Sequence, residues 1–195
     1  MLQTDFTGGR VGIRRFRTDD IPLLFEAARE SINELSAWMV WCHPGYSVAD
    51  SASFISGCCA EWDRGGHFSF VIHDVRDGAF LGSVGLNQVN RIHSFANIGY
   101  WVRTSCTGQG VAAAATRLIA QFGLQELGLN RLELLVPTGN QPSQRVAEKT
   151  GAKLEGVLRK RLLLQGAPHD AALYSLVAED LQVSTHRKLA AHQQF

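Results

Sequence analysis

The chain has 195 residues, 45% hydrophobic, 19% charged and 9% aromatic, enough to bury one sizeable core but hardly two. Nineteen Lys and Arg against eighteen Asp and Glu leave a formal net charge of +1, which excludes reading bulk charge as a footprint for direct nucleic-acid or membrane binding. The apolar content argues against disorder, no run reaches the ~18 apolar residues of a membrane span, and the start MLQTDFTGGR lacks a signal-peptide plan, so a soluble cytoplasmic protein is expected.

Gly12 to Phe16 alternates apolar residues with Arg and reads as an opening strand. Thr18-Asp19-Asp20 supplies an N-cap and an acidic first turn, and with Pro22 it predicts a helix to about Asn33. Leu35 to His43 is Trp-rich and irregular, a candidate cover for a pocket. Ser47-Val48-Ala49-Asp50 resembles a capping box with Asp for the usual Glu, opening a second helix that ends near Gly65-Gly66. From His67 the period becomes two: Phe68, Phe70 and Ile72 alternate, Asp77-Gly78 signals a hairpin, and Phe80 to Val89 with Phe95 to Val102 complete an antiparallel meander. Val111, Ala115, Leu118 and Phe122 then recur at helical spacing until Gly128. Leu132 to Val136 is a short strand, and Pro142 begins a helix ending at Gly151. Leu154 to Leu164 and Ala171 to Val177 flank the turn Gln165-Gly166-Ala167-Pro168. No repeat or linker divides these elements, so one α/β (α+β) domain over 1–181 is expected, with a central mixed, mostly antiparallel sheet, flanking helices and a polar tail over 182–195.

Cys42, Cys58, Cys59 and Cys106 show no paired spacing and the seven His are scattered, so the cysteines read as small buried thiols and no metal is expected. The most informative stretch is Thr107-Gly108-Gln109-Gly110-Val111-Ala112-Ala113, where a strand gives way to a helix. Its glycines allow close backbone approach and the helix start leaves N–H groups free for an anion. There is no Lys-Ser/Thr after Gly110 and no full G-x-G-x-x-G in a parallel βαβ plan, so both usual nucleotide motifs fail. Charge divides along the chain: residues 1–97 hold 8 Arg against 11 acidic residues (−3), and residues 98–195 hold 11 Lys and Arg against 7 (+4). An anionic ligand therefore suits the second half and a cationic one the first.

Gly110 and Ala112, with Thr107 in place of Gln or Arg, resemble the Gln/Arg-x-x-Gly-x-Gly/Ala pyrophosphate loop of the GNAT superfamily of acyl-CoA-dependent N-acetyltransferases. Asn140-Gln141-Pro142-Ser143, Ala147-Glu148-Lys149-Thr150-Gly151-Ala152 and Leu154-Glu155-Gly156-Val157-Leu158-Arg159 are similar to the RimJ/RimL-type branch that acetylates ribosomal-protein N-termini, as are Phe80-Leu81-Gly82-Ser83-Val84-Gly85-Leu86 and Ile98-Gly99-Tyr100-Trp101-Val102. The match spans roughly residues 10–178 in the family's order.

The resemblance implies acetyl-CoA as cosubstrate, no metal, and an amine-bearing partner such as a ribosomal or other protein N-terminus, in a monomer or homodimer. A small amine such as an aminoglycoside or polyamine, or a degenerate CoA-binding domain, are the alternatives. It implies a splayed strand pair, Asn97 to Arg103 and Leu132 to Val136, with backbone N–H groups near Trp101 and Val102 facing the acetyl oxygen. Cofactor contacts fall on Trp101, Val102, Arg103, Thr107, Gly108, Gln109, Gly110, Val111, Ala112, Ala113, Asn140, Ser143 and Lys149, with Arg145 a further cation. Ser143 and Tyr100 are the catalytic candidates. Ser143 would assist the leaving sulfur, although a helix-capping role competes, and Glu155 reads as structural, paired with an Arg such as Arg159. Trp38, Trp41, His43 and His73 would meet the acceptor, with Glu30, Glu34 and Asp50 as acidic company. By the same resemblance, some members carry Glu where this chain has Asn97, and ribosomal enzymes can carry Glu where it has Leu162, which leaves His67, His73, Tyr100 and His169 as candidate bases.

Overall fold

The computed structural model describes residues 2–181, so the tail expected at 182–195 lies outside them. Eight strands among the described residues form one sheet: β1 (Asp5–Gly8), β2 (Val11–Arg15), β3 (Phe68–Asp74), β4 (Phe80–Asn90), β5 (Phe95–Val102), β6 (Arg131–Pro137), β7 (Lys153–Leu164) and β8 (Ala167–Leu176). Their order is β1-β2-β3-β4-β5-β6-β8-β7. Every neighbouring pair is antiparallel except β5 with β6, which are parallel and joined by a helical crossover. The mixed, mostly antiparallel sheet with flanking helices is thus as the sequence predicts.

Helices α1 (Ile21–Glu30), α2 (Ile32–Leu35), α3 (Val48–Arg64), α4 (Val111–Gln121) and α5 (Gln141–Thr150) flank it. Alternation along β3 divides the core. Phe68, Phe70 and Ile72 pack with Leu118 and Ile119 of α4, while Val71 packs with Leu24, Ala27, Ile55 and Cys58 of α1 and α3. Ser69 and His67 share the second face, so α1 and α3 cover a floor containing polar groups.

Four boundaries differ from the sequence reading. Strand β1 was hidden because Asp5–Gly8 is only four residues long, although Gly8-Gly9 is a hairpin signal and Gly9 takes φ +64°. The first helix breaks at Ser31, whose hydroxyl donates to the Ala27 carbonyl at 2.7 Å, and α2 restarts beyond it. Helix α4 gives way at Phe122 to a π turn over Phe122–Glu126. This turn seats Phe122 among Phe6, Phe68 and Phe70 and lays Gly123 against Leu132 and Leu86, where a Cβ would come within 3.0 Å of both. The last hairpin turns on Gln165 and Gly166 alone, both at positive φ, and β8 starts at Ala167. Pro168 fits there because β6 pairs with β8 only from Ala171 onward, leaving that stretch one free edge.

At Gly82, φ is +151° and a Cβ would collide with the Trp101 carbonyl oxygen. Gly82→Ala is expected to lose at least about 2 kcal/mol of stability, roughly 4 °C or more in Tm by thermal unfolding; an unchanged Tm would show that the β4–β5 ladder yields there.

Candidate active site

Strands β5 and β6 pair only at Phe95 with Arg131, Ala96 with Leu132 and Asn97 with Glu133. Beyond that point they diverge, and β6 continues against β8 as far as Pro137. Asn97 stands at the fork. Its Oδ1 accepts the Leu135 N–H at 3.3 Å and its Nδ2 donates to Asn87 Oδ1 at 3.0 Å, so one amide ties β4, β5 and β6 where the sheet opens. The Arg103 N–H donates to the Leu81 carbonyl at 2.8 Å. Backbone groups alternate along a strand, so those of Trp101 are directed to β4 and those of Tyr100 and Val102 into the opening. This corrects the expectation that Trp101 offers its N–H there.

A groove of about 520 Å³ runs from the opening past the starts of α4 and α5. Gly108 and Gly110 lie at φ +74° and +79°, with nothing within 4 Å of a Cβ built on either, so the backbone is uncovered on that side. The bond from the Ala114 N–H to the Gly110 carbonyl begins the helical ladder, and the Val111, Ala112 and Ala113 N–H groups precede it. Arg145 and Lys149, one turn apart on α5, line the same groove with Thr107, Trp101 and Val102. Preformed N–H donors beside two cations suit a diphosphate, and the strand opening suits an extended arm.

Two residues expected in this groove do not line it. Arg103 turns away to pair with Glu30, whose other oxygen accepts the Ser105 N–H at 2.9 Å and whose pKa these partners lower despite the opposing effect of desolvation. The Gln109 side chain is held by Arg10 at 3.2 Å and donates to the Ser105 carbonyl at 3.1 Å, bracing the loop from behind. Asn140 lines the groove and caps α5, its Oδ1 accepting the Ser143 N–H at 3.1 Å. The capping role considered for Ser143 thus belongs to Asn140. The Ser143 hydroxyl instead lies 2.6 Å from the Tyr100 hydroxyl, which also donates to the Ser143 carbonyl at 3.2 Å. Burial pushes the Tyr100 phenol up to about 12, against the smaller opposite effect of its Ser143 bond, so it stays protonated at neutral pH.

Across Tyr100 and Trp101 lies a second cavity of about 580 Å³, and Met39, Tyr100 and Trp101 line both spaces. Its floor is the polar face of the meander: His67, Ser69, Ser83, Asn87 and the facing pair Gly85 and Gly99. A Cβ on Gly85 would come within 2.7 Å of the Phe68 carbonyl oxygen, so close strand packing keeps that hollow bare. Leu24, Trp41, His43, Tyr46, Asp50 and Phe54 form the walls. Burial lowers the pKa of His67, keeping its ring neutral at pH 7, with Nε2 3.1 Å from Ser69 Oγ. The Ser47 hydroxyl and N–H hold the Asp50 carboxyl below its ordinary value while it caps α3.

Of the residues expected to meet the acceptor, Trp41 and His43 line the second cavity, but Trp38 lines the first groove, facing Gly139. His73 lies at the β2–β3 pair with its ring against Gly12, away from both spaces, because it falls at the far end of β3 from His67. His169 is exposed on β8 opposite Leu162. Glu34 accepts the Thr104 hydroxyl at 3.0 Å and, like Glu30, faces the loop, so Asp50 is the carboxylate that lines the second cavity. Glu155 is structural as expected, but its partner is Arg131 in a two-pronged pair at 2.6 and 2.7 Å, which brings its carboxyl down to about 2. Residue order gave no signal for Tyr46, Phe54, Ser83 or Asn87, which converge only through sheet and helix packing.

A sheet forked between parallel strands, with an anion-ready helix start on one side and an aromatic-walled cavity on the other, is an arrangement suited to a two-substrate group-transfer enzyme. Residues 10–153 match the family model for the acetyltransferase (GNAT) domain, and the chain belongs to this family of acetyl-CoA-dependent N-acetyltransferases, in its RimJ/RimL-type branch. An uncharacterized N-acetyltransferase, YoaA of Bacillus subtilis, is 33% identical over 133 residues, covering 67% of this chain and 74% of that protein. The ribosomal-protein-serine acetyltransferase of Escherichia coli is 27% identical over 133 residues, covering 68% and 73%. Mycobacterium smegmatis RimJ, solved in complex with CoA-disulfide, superposes with a TM-score of 0.80 at 30% identity, covering 93% of this chain and 89% of that one.

Neutralising either groove cation, as Arg145→Gln or Lys149→Gln, is expected to raise the KM for acetyl-CoA by about 2- to 5-fold, with a smaller increase at high salt. Steady-state kinetics at two ionic strengths checks this, and an unchanged KM in both variants would exclude these side chains as cofactor contacts.

Proposed function

We propose that the enzyme acetylates the α-amine of a protein or peptide N-terminus by direct attack, with acetyl-CoA along the groove and the acceptor in the second cavity. The observation that carries this reading is the junction at Met39, Tyr100 and Trp101, where the two spaces share a wall beside the unpaired stretch of β5. Bound acetyl-CoA supplies an acetyl group activated as a thioester. The Tyr100 and Val102 N–H groups, turned into the opening, are donors for its carbonyl oxygen. The Tyr100 hydroxyl, protonated and oriented by Ser143, is the proton source for the leaving sulfur.

Two observations favour an α-amine over a polyamine or aminoglycoside. Such polycations call for several carboxylates, whereas among the described residues Asp50 is the carboxylate that lines the cavity, and Glu30 and Glu34 bond the loop. The fork itself holds Asn97 rather than a carboxylate, engaged by Leu135 and Asn87. An α-amine of pKa ~7.8 is roughly a quarter neutral near pH 7.4, against about a thousandth for a Lys amine of pKa ~10.4. The acceptor therefore reaches the fork as free base after losing its proton to water, and the second proton, shed by nitrogen as the amide forms and the C–S bond breaks, leaves through water and replaces the one that Tyr100 gives to the sulfur. The relative named for ribosomal-protein serine points to the same acceptor class.

Incubation with acetyl-CoA and α-amino peptides is expected to release free thiol, and N-formylation of the peptide to stop it. Tight acetyl-CoA binding without turnover on peptides, polyamines or aminoglycosides would instead mark a binding domain. Tyr100→Phe should lower kcat by about 100-fold or more, as general-acid contributions run, while KM for acetyl-CoA moves less; an equal fall in affinity would make Tyr100 a packing residue. Because the acceptor supplies the ionisation, kcat/KM should rise with pH along the acceptor's own titration and shift when an amine of lower pKa is used. A limb that stays fixed across acceptors and vanishes in His67→Gln or His43→Gln would assign the base to the enzyme.

A further inference from the structure

We infer that the preferred acceptor carries a bulky apolar side chain, of Leu, Met or Phe type, on its first residue. This rests on the N-terminal acceptor reading above and names the class within it. Leu24, Met39, Trp41, Tyr46, Phe54 and Trp101 give the cavity apolar walls. Trp41 and Phe54 remain 39% and 40% exposed while the other core-packed aromatics of that face, Phe16 and Phe80, are buried. Their exposed surface is held in place rather than loose: Trp41 packs against Trp101 and Tyr46 at 5.6 Å between centroids, and Phe54 stands edge-on to Phe16 at 5.4 Å. Rigid aromatic surface facing a cavity is surface that an apolar ligand group removes from water.

Several polar atoms around the same space point the same way, because they are already engaged, mostly by groups behind the cavity wall. Ser83 Oγ donates to the Phe70 carbonyl at 3.0 Å, Ser69 Oγ meets His67 at 3.1 Å, Asn87 Oδ1 accepts from Asn97, and the Tyr46 hydroxyl accepts from Ser51 at 3.0 Å. A polar or charged first side chain would find few free partners there and would lose its hydration. Asp50 and His43, at the wall, are left for the peptide beyond the amine. At about 580 Å³ the cavity is far larger than the methyl of alanine or the hydroxymethyl of serine requires.

The test is a peptide series identical except at residue one, with Leu, Met, Phe, Ala, Ser, Asp and Lys, each with a free α-amine. Leu, Met or Phe should exceed Ala and Ser by at least about tenfold in kcat/KM, the scale at which apolar pockets discriminate. Trp41→Ala and, independently, Phe54→Ala should each compress that ratio toward unity, while Trp41→Phe retains most of it. Equal rates, or a preference for Ala or Ser, would overturn the inference and leave N-terminal acetylation standing. No turnover on any peptide would overturn the N-terminal reading itself, and a wild-type ratio unchanged in both alanine variants would remove the aromatic walls as its cause.

Discussion

Everything at the site follows from the separation of β5 and β6 after three residue pairs. A parallel pair must be joined by a crossover, and here the crossover is α4, so its N-terminus lies directly where β5 ends. Divergence then leaves backbone N–H groups of β5 unpaired beside a helix start whose own N–H groups are unpaired. Both defects of hydrogen bonding fall in one groove, and each is a donor set for a ligand. Asn97 makes the fork definite by bonding both neighbouring strands. The amide at this position is occupied in bonding the strands on either side and offers no carboxylate at the fork.

The loop between β5 and α4 is fixed from α1, α2 and the break between them. Glu30, Ser31 and Glu34 receive hydrogen bonds from Arg103, Thr104 and Ser105, and Gln109 is tied to Arg10 from the opposite side. These contacts redistribute the charge asymmetry of the sequence. Part of that complementarity is internal: Glu30 of the first half neutralises Arg103 of the second instead of greeting a substrate. Among the described residues, the charged side chains lining the two spaces are Arg145, Lys149 and Glu34 in the groove and Asp50 in the cavity. No helix among the described residues is long and apolar enough to cross a membrane.

The sheet and helix order was legible because periodicity changes sharply at His67 and Val111 and because Ser47, Asn140, Gly65 and Gly151 cap their helices as their residue types dictate. The phosphate-ready loop was legible for the same local reason. Side-chain destinations were less so. Arg103 and Gln109 sit in the right loop but are drawn off by Glu30 and Arg10, 73 and 99 residues away in the chain. Trp38 and Trp41 are three residues apart, yet the turns after α2 send them to different spaces. His67 precedes β3 and His73 lies near its far end. Such separations are set by packing between distant segments, which short-range pattern does not encode.

Hydrogen exchange of the Tyr100 and Val102 amides, measured with and without acetyl-CoA, addresses the fork most directly. Their N–H groups, unpaired in the opening, should exchange readily in the free protein and become strongly protected with the cosubstrate, together with Val111, Ala112 and Ala113 at the start of α4. Protection confined to α4, with Tyr100 and Val102 unchanged, would contradict the assignment of the strand opening as the place where the acetyl group is held.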